Sequence, residues 1–449
     1  MTLRNGSKAT LGCFLALVTG LIFLGSCGGG SSSSSGVTTT PPVTNTAAVT
    51  VGFSPGQLYV NEIFTSVTIC QHNTSNCQTV DNVLVDTGSI GLRILNSALT
   101  TVPASSLATV TDPVSGDAIQ ECVQYGDTSY TWGPMLAGDV ELAGEKTSET
   151  AINVIGGNSF SVPSTCITTP IASGLPNAGN DDTADALGAN GILGIEGYPW
   201  DCPDCALGVP TYDPYYICPS GQCEQVEVAT GDQATNPVAA FSSADNNGVL
   251  ITLPSIPATG AATGTVSGSL IFGIGTQSNN ALASSVTVYG LDDYLNIPKA
   301  TYNGVQYTSP SLGGNNLIIL DTGSNGIFFL DATTLASAGT VIVECADAPG
   351  FYCPSTTVPF TVTLYGENGT SGTINFSIAN ADTLFASGNA AFNDLGGEGG
   401  TSPSTDDLDF GLPFLFGRSV YVGMMPGVFT GESAPPSAAS SATYGYYAF

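Results

Sequence analysis

Between residues 50 and 430 the chain alternates apolar and polar positions in short runs rich in Val, Ile, Thr, Tyr and Phe, each broken by Gly, Pro or Asn-Gly. VLVDTG from Val83, GDVELAG from Gly138, GSLIFGIG from Gly268, ATYNGVQYTS from Ala300, NLIIL from Asn316, FTVTLYG from Phe360 and SVYVGM from Ser419 follow this pattern. Such runs, bounded by turn residues, predict β-strands in mostly antiparallel sheets. Asn303-Gly304 between two alternating runs predicts a tight hairpin. At 449 residues the chain is long enough for two or three core units rather than one.

The N-terminal end follows a different pattern. Arg4 and Lys8 precede an apolar run from Leu11 to Leu24 that closes on Leu24, Gly25, Ser26 and Cys27. A charged start, a short apolar stretch and small residues at its end predict a signal peptide over 1–26 and an exported protein. The four closing residues resemble a bacterial lipoprotein cleavage box, which implies that Cys27 becomes the lipidated first residue of the mature chain. Gly28 in the following position then implies the outer membrane. Residues 27–49, dominated by Gly, Ser, Thr and Pro, predict a flexible tether with a reach of about 25 Å. No later stretch approaches the run of about 18 apolar residues that a membrane-spanning helix needs.

Composition narrows the chemistry. There are 36 acidic residues against 6 basic ones, for a formal net charge of −30, and a surface this acidic excludes general nucleic-acid binding. Hydrophobic residues make up 42% and charged residues only 9%, a folded composition. His72 is the only histidine, so multi-histidine zinc sites are excluded and histidine-based nucleophilic catalysis would rest on that residue alone. It lies among polar residues between Cys70 and Cys77 and reads as a solvated loop histidine. Without the leader, only Arg93, Lys146, Lys299 and Arg418 face the carboxylates, so most of these have no ion-pair partner. The fold is therefore expected to tolerate mild acid better than alkali.

Ten cysteines remain once Cys13 and Cys27 are set aside, an even number that predicts disulfides in an exported chain. Cys70 with Cys77 and Cys345 with Cys353 are the simplest local pairs. Cys202, Cys205, Cys218 and Cys223 have the spacing of either a disulfide-stapled loop or a four-thiolate zinc knuckle, and the sequence leaves that choice open.

An internal repeat carries the candidate chemistry. VLVDTGSIGLRIL at 83–95 and IILDTGSNGIFFL at 318–330 align without gaps and share Asp, Thr, Gly, Ser, a second Gly and the final Leu. Two copies in matching apolar frames predict the same loop at the end of a buried strand in each half. If Asp86 and Asp321 face each other at about 4 Å, in an effective dielectric near 20, they repel by roughly 4 kcal/mol, or about three pKa units. They then share one proton, giving a base and an acid at the same pH. Gly88 and Gly323 permit close approach of backbone amides, Ser89 and Ser324 offer hydroxyl donors, and Thr87 and Thr322 can bond across the two halves.

With these loops the chain resembles the bilobal, pepsin-like aspartic peptidases, whose lobes each contribute one such loop. QYGDTSYTWGPMLAGDVELAG from Gln124 resembles the flap of that family, with Tyr125, Gly126 and Asp127 at its tip. ANGILGIEG places Ile192, Leu193 and Gly194 at the element supporting the first aspartate loop. GSLIFGIGTQSNNAL resembles the opening of the second lobe. DFGLPFLFGRSVYVG resembles the second support, with Gly411 and Gly417 both candidates for its glycine. The chain is also similar to a family of bacterial lipoproteins with Asp-Thr-Gly-Ser motifs whose function is not established.

The resemblance implies an all-β fold with pseudo-twofold lobes, N-terminal over 50–265 and C-terminal over 266–430, followed by a tail over 431–449. It implies hydrolysis of an extended peptide or unfolded protein at acidic pH on the cell envelope by a monomer, with catalytic Asp86 and Asp321 and with neither metal nor cofactor. The alternative is a pepsin-like binding or inhibitory protein that does not cut. Two departures bear on this. Arg93 stands where the family usually has a tryptophan that seats the flap tyrosine, and a cation against the Tyr125 ring is one substitute. Asp127 adds a negative charge near the flap tip, expected to disfavour acidic residues in a bound peptide. The Cys-rich segment 198–225 has no obvious counterpart in the family and is expected to be a surface insertion or, equally, a partner-docking loop. The acidic run Asn180, Asp181, Asp182 and Asp185 lacks the closing Glu of a calcium loop and reads as solvated. The GIG at Gly273 lacks the rest of a phosphate loop. Two identical carboxylate loops argue against a glycosidase, which needs two unequal environments.

Overall fold

The computed structural model describes residues 45–157, 160–168, 179–208, 213–400 and 406–449. The leader, Cys27 and the tether as far as residue 44 lie outside the described residues. Strands dominate; the helices are short, such as Ala332–Ser337, whose first amides at Thr333 and Thr334 are capped by the Asp331 carboxyl at 2.9 and 3.0 Å. Among the described residues no helix is long and apolar enough to cross a membrane.

Each half contains the same four-strand motif. In the first, Gly191–Ile195 lies between Cys77–Asp86 and Ile90–Leu95, parallel to the former and antiparallel to the latter, and Thr150–Ile155 runs parallel to Ile90–Leu95 on the far side. In the second, Leu408–Gly411 lies between Ile318–Asp321 and Ile327–Phe329 with the same directions, and Gly396–Glu398 runs parallel to Ile327–Phe329. Central strands with parallel neighbours are covered on both faces, which explains the near-continuous apolar runs before each aspartate. Val83, Val85, Leu193, Ile318 and Leu320 are all fully buried.

One antiparallel sheet joins the halves. Its order is Glu62–Cys70, Thr46–Gly52, Val266–Phe272, Gly248–Thr252, Ser419–Gly423, Tyr446–Ala448 and Val288–Gly290. The architecture is therefore all-β and bilobal, of the pepsin-like type.

Three expectations about the edges of this fold need correction. The strand Thr46–Gly52 begins inside the residues assigned to the tether, because Ala47, Val49 and Val51 point inward and pair along Val266–Ile271. Residues 431–449 are more than a tail: Tyr446–Ala448 lies between Ser419–Gly423 and Val288–Gly290 in the joining sheet, and the Phe449 ring lies 5.0 Å from that of Phe414. The Cys-rich segment is no surface insertion either. Its strand Tyr215–Ile217 pairs with Ile119–Glu121, and Cys205, Tyr215 and Tyr216 are buried.

Five disulfides form: Cys70–Cys77, Cys122–Cys166, Cys202–Cys205, Cys218–Cys223 and Cys345–Cys353. The four cysteines with zinc-knuckle spacing are thus two local disulfides, whose sulfurs cannot serve as thiolate ligands.

Candidate active site

The two Asp-Thr-Gly-Ser loops meet at the junction of the lobes. The Gly88 amide donates to Asp86 Oδ1 at 2.8 Å and the Ser89 hydroxyl to Asp86 Oδ2 at 2.5 Å. In the second loop the Gly323 amide donates to Asp321 Oδ1 at 2.8 Å and the Ser324 hydroxyl to Oδ2 at 2.8 Å. A side-chain carbon on Gly88 would stand 2.5 Å from Asp321 Cγ, and one on Gly323 would stand 2.9 Å from Asp86 Oδ1. Each glycine therefore leaves room for the opposite acid, and the carboxyls come within mutual hydrogen-bonding range.

Thr87 and Thr322 lock the loops together. Each threonine amide donates to the other's hydroxyl oxygen, and those hydroxyls donate onward to the Leu320 and Val85 carbonyls at 2.7 and 2.6 Å. Both threonines are fully buried. Behind the loops, Gly194 lies opposite Asp86 and Gly411 opposite Asp321 in the strand pairing. A Cβ on Gly194 would strike the Ile90 backbone at 2.8 Å, and one on Gly411 the Gly326 carbonyl at 2.0 Å. Gly411 is thus the second support glycine, while Gly417 turns the chain further on with φ of 78°.

Burial, and then the Asp86 charge, push the Asp321 carboxyl well above the usual carboxylate range. A carboxyl raised in this way keeps its proton beside a neighbouring carboxylate.

Three more acids surround the pair, and the sequence singled out none of them. Burial first, then the Asp321 and Asp86 charges, raise Glu62. Glu196, just past the first support strand, is raised by burial and then by the same two charges, Asp86 first. Asp409, on the second support strand, is raised by burial and then by Asp321, and it meets the Ser324 hydroxyl. These are isolated acids without a repeated frame, so no sequence signal separates them from surface carboxylates.

The flap is a hairpin of Ile119–Gln124 and Ser129–Leu142. Its turn closes with the Tyr125 amide on the Ser129 carbonyl and the Thr128 amide on the Tyr125 carbonyl, both at 2.9 Å. Tyr125 is half-buried beside Phe64, Leu84, Ala189 and Ile192, and its hydroxyl lies 3.2 Å from Thr131 Oγ1. Gly126 and Asp127 are exposed at the tip, where Asp127 Oδ1 accepts the Ser129 amide at 2.9 Å.

Arg93 does not cover the Tyr125 ring. Its guanidinium is buried and held on both sides: Nε and Nη2 donate to the two Glu121 oxygens at 3.2 and 2.7 Å, Nη2 to Asp201 at 3.0 Å, and Nη1 to the Ile90 carbonyl at 2.6 Å. Asp201 in turn accepts the Tyr215 hydroxyl at 2.5 Å. One cation thereby ties the flap strand and the Cys-rich segment to the residue that follows Ser89. Burial alone would lower the Arg93 pKa, but the Glu121 and Asp201 charges more than reverse that and keep it ionised.

His72 is not solvated as expected. It is partly buried, with Nδ1 at 2.7 Å from Asp139 and Nε2 at 3.5 Å from Glu149. The acidic run is likewise only partly solvated: Asp181 is half-buried, its amide donates to the Tyr130 carbonyl at 2.8 Å, and burial pushes its pKa up to about 6.

Paired Asp-Thr-Gly-Ser loops beneath a hairpin flap, in two lobes with matching strand order, place the protein in the pepsin-like structural class. Within that class, residues 41–440 match the family described as Protein of unknown function (DUF3443), and the chain belongs to it. No curated protein matches the sequence. Among solved structures the chain is similar to the aspartic proteinase from Irpex lacteus, at 16% identity and a TM-score of 0.44, over 84% of this chain and 93% of that one. The strand pairings of the two lobes define the fold.

Proposed function

We propose that the protein is an aspartic endopeptidase that hydrolyses peptide bonds in extended or unfolded chains, working in the acidic range. One observation carries the reading: two aspartates from opposite lobes approach closely, each held by its own glycine amide and serine hydroxyl. The ionised carboxyl takes a proton from a water between the pair while the protonated one donates to the carbonyl oxygen of the scissile bond. The resulting tetrahedral diol collapses as a proton passes to the leaving amine, with no acyl-enzyme. Peptide would lie extended beneath the flap, with Tyr125 over it.

The location proposed with this is the bacterial cell envelope, through a lipid on Cys27, and five disulfides fit an oxidising, exported setting. The test is digestion of a denatured protein between about pH 3 and pH 6, with and without pepstatin, set against Asp86→Asn. Pepstatin-sensitive cleavage that disappears in the variant supports the reading. No cleavage at any pH rejects it and leaves a pepsin-like peptide-binding protein.

A further inference from the structure

The flap is not a free-standing hairpin. Tyr215–Ile217 lies along the outer edge of Ile119–Gln124, with Tyr215 opposite Glu121 and Ile217 opposite Ile119, and it carries Glu224–Gln225 on its far side. On the other edge Gly179 and Asn180 pair in parallel with Ser129 and Tyr130, and the Asp181 amide donates to the Tyr130 carbonyl at 2.8 Å. The two flap strands therefore lie inside a five-strand sheet. A two-stranded hairpin by itself is marginal in water, whereas neighbours on both edges give it a fixed plane.

Side chains fasten the same junction. Tyr215 is fully buried, and its hydroxyl donates to Asp201 at 2.5 Å and accepts the Ala234 amide at 2.8 Å. Asp201 shares the Arg93 guanidinium with Glu121, the residue opposite Tyr215 in the pairing. One residue on, Cys122 is joined to Cys166 by a disulfide, and its amide donates to the Pro214 carbonyl at 2.7 Å. Across the hairpin from Cys122, the Trp132 ring meets Tyr216 edge-on at 5.5 Å, and the Tyr216 hydroxyl lies 3.0 Å from Thr165 Oγ1. All of these contacts hold the strand that leads into Tyr125.

We propose that Tyr215–Ile217 is a positioning element for the flap, with Tyr215 its chief anchor: it holds the hairpin in place before peptide arrives, so that Tyr125 needs no ordering when the cleft fills. The proposal rests on the reading that peptide binds beneath the flap. Its consequence lies in binding rather than in chemistry. A mobile cover gives up conformational freedom when it closes on a guest, whereas a braced one has already given it up on folding. Asp86 and Asp321 sit on other strands, Cys77–Asp86 and Ile318–Asp321, so loosening the brace weakens peptide binding and leaves the step at the dyad unchanged.

The experiment is amide hydrogen exchange of the full chain, read by mass spectrometry. In the parent, Ile119–Gln124 is expected to exchange at least about tenfold more slowly than Val305–Thr308, a strand at the edge of its sheet. Tyr215→Phe keeps the ring and drops both hydroxyl bonds. It is expected to speed exchange of Ile119–Gln124 about tenfold while Ile318–Asp321 stays as slow as in the parent. A second arm measures kcat and KM on one peptide, where Tyr215→Phe should raise KM about tenfold and keep kcat within about twofold. A parent flap that exchanges as fast as Val305–Thr308, or flap exchange untouched by Tyr215→Phe, overturns the proposal and leaves the peptidase reading standing; the parent comparison decides alone where the variant does not fold. A loss of kcat at unchanged KM overturns it as well. The exchange arm needs no turnover, so an absence of hydrolysis at any pH rejects the peptidase without deciding the brace.

Discussion

Thr87 and Thr322 exchange hydrogen bonds across the two lobes, each amide donating to the other's hydroxyl oxygen at 3.1 and 3.0 Å. The bonds are buried and reciprocal, so neither loop can shift without unpairing groups in the other. Thr87→Val keeps the shape but strands the Thr322 amide and the Leu320 carbonyl. With about 1–3 kcal/mol for each buried group left unpaired, unfolding free energy in urea should drop by about 3 kcal/mol. Thr87→Ser retains the oxygen and should lose less than about 1 kcal/mol. Equal losses in the two variants would show that the hydroxyl bonds contribute nothing measurable.

The dyad glycines and the flap glycine should differ sharply. A methyl on Gly88 would lie 2.5 Å from Asp321 Cγ, whereas one on Gly126 would find nothing within 4 Å. Gly88→Ala must push the two acids apart, so any hydrolytic activity should fall at least about a hundredfold, in line with the cost of misplacing reacting groups by about 1 Å. Gly126→Ala should change stability by no more than about 0.5 kcal/mol. Kinetics on one peptide and thermal melts of both variants check the contrast.

Among the described residues Arg93 is the one cation paired with Glu121 and Asp201. Arg93→Met leaves the fully buried Glu121 carboxyl without its cation, and should cost about 3–5 kcal/mol in denaturant unfolding. Arg93→Met combined with Glu121→Met removes the stranded charge as well, and should be more stable than Arg93→Met alone. Arg93→Lys should not restore the parent stability, because a point ammonium cannot span Glu121, Asp201 and the Ile90 carbonyl together. A double variant no better than the single one would mean that packing, not charge, sets the cost.

The features legible in the sequence are those that repeat or have local geometry. The duplicated VLVDTGS and IILDTGS frames mark both aspartates, because a buried strand ending in a tight glycine loop needs those residue types wherever it occurs. The flap turn and the short disulfides Cys70–Cys77 and Cys345–Cys353 are local in the same sense. What was hidden depends on distant partners. Glu121 and Asp201 lie 28 and 108 residues from Arg93, so nothing near Arg93 announces its bonds. Glu62, Glu196 and Asp409 acquire meaning only once folding has brought them beside the pair. The strands at Thr46 and Tyr446 were obscured by Thr-, Ser- and Pro-rich neighbours, although Ala47, Val49 and Val51 alternate as a half-buried strand should.

The buried acids also set how stability responds to pH. Burial is the largest cause in each case, raising Asp181, Asp394 and Asp407 to about 6 and Glu398 to about 7. For an acid whose pKa rises on folding, the folded state holds the proton more tightly than the unfolded one. Its stabilising contribution is complete below the unfolded value, about 4, and is lost as pH climbs through the folded value. The opposite group is smaller: Asp112 is lowered chiefly by its backbone bond to Ser115, while at Asp139 and Asp331 burial is the largest single cause and is outweighed only by several lowering interactions together, His72, the Glu149 amide and Lys146 at the first, Thr334, the Thr333 amide and Asp406 at the second. Those three lose stability only as pH falls below about 4. Melting temperature at constant ionic strength should therefore be highest near pH 4–5 and decline toward about pH 7.5. Asp407→Asn, which keeps an oxygen to accept the Leu317 amide bonded at 2.8 Å, should flatten that decline. A melting temperature that fell steadily from about pH 7 to pH 4 would show that paired carboxylates, not buried ones, govern this fold.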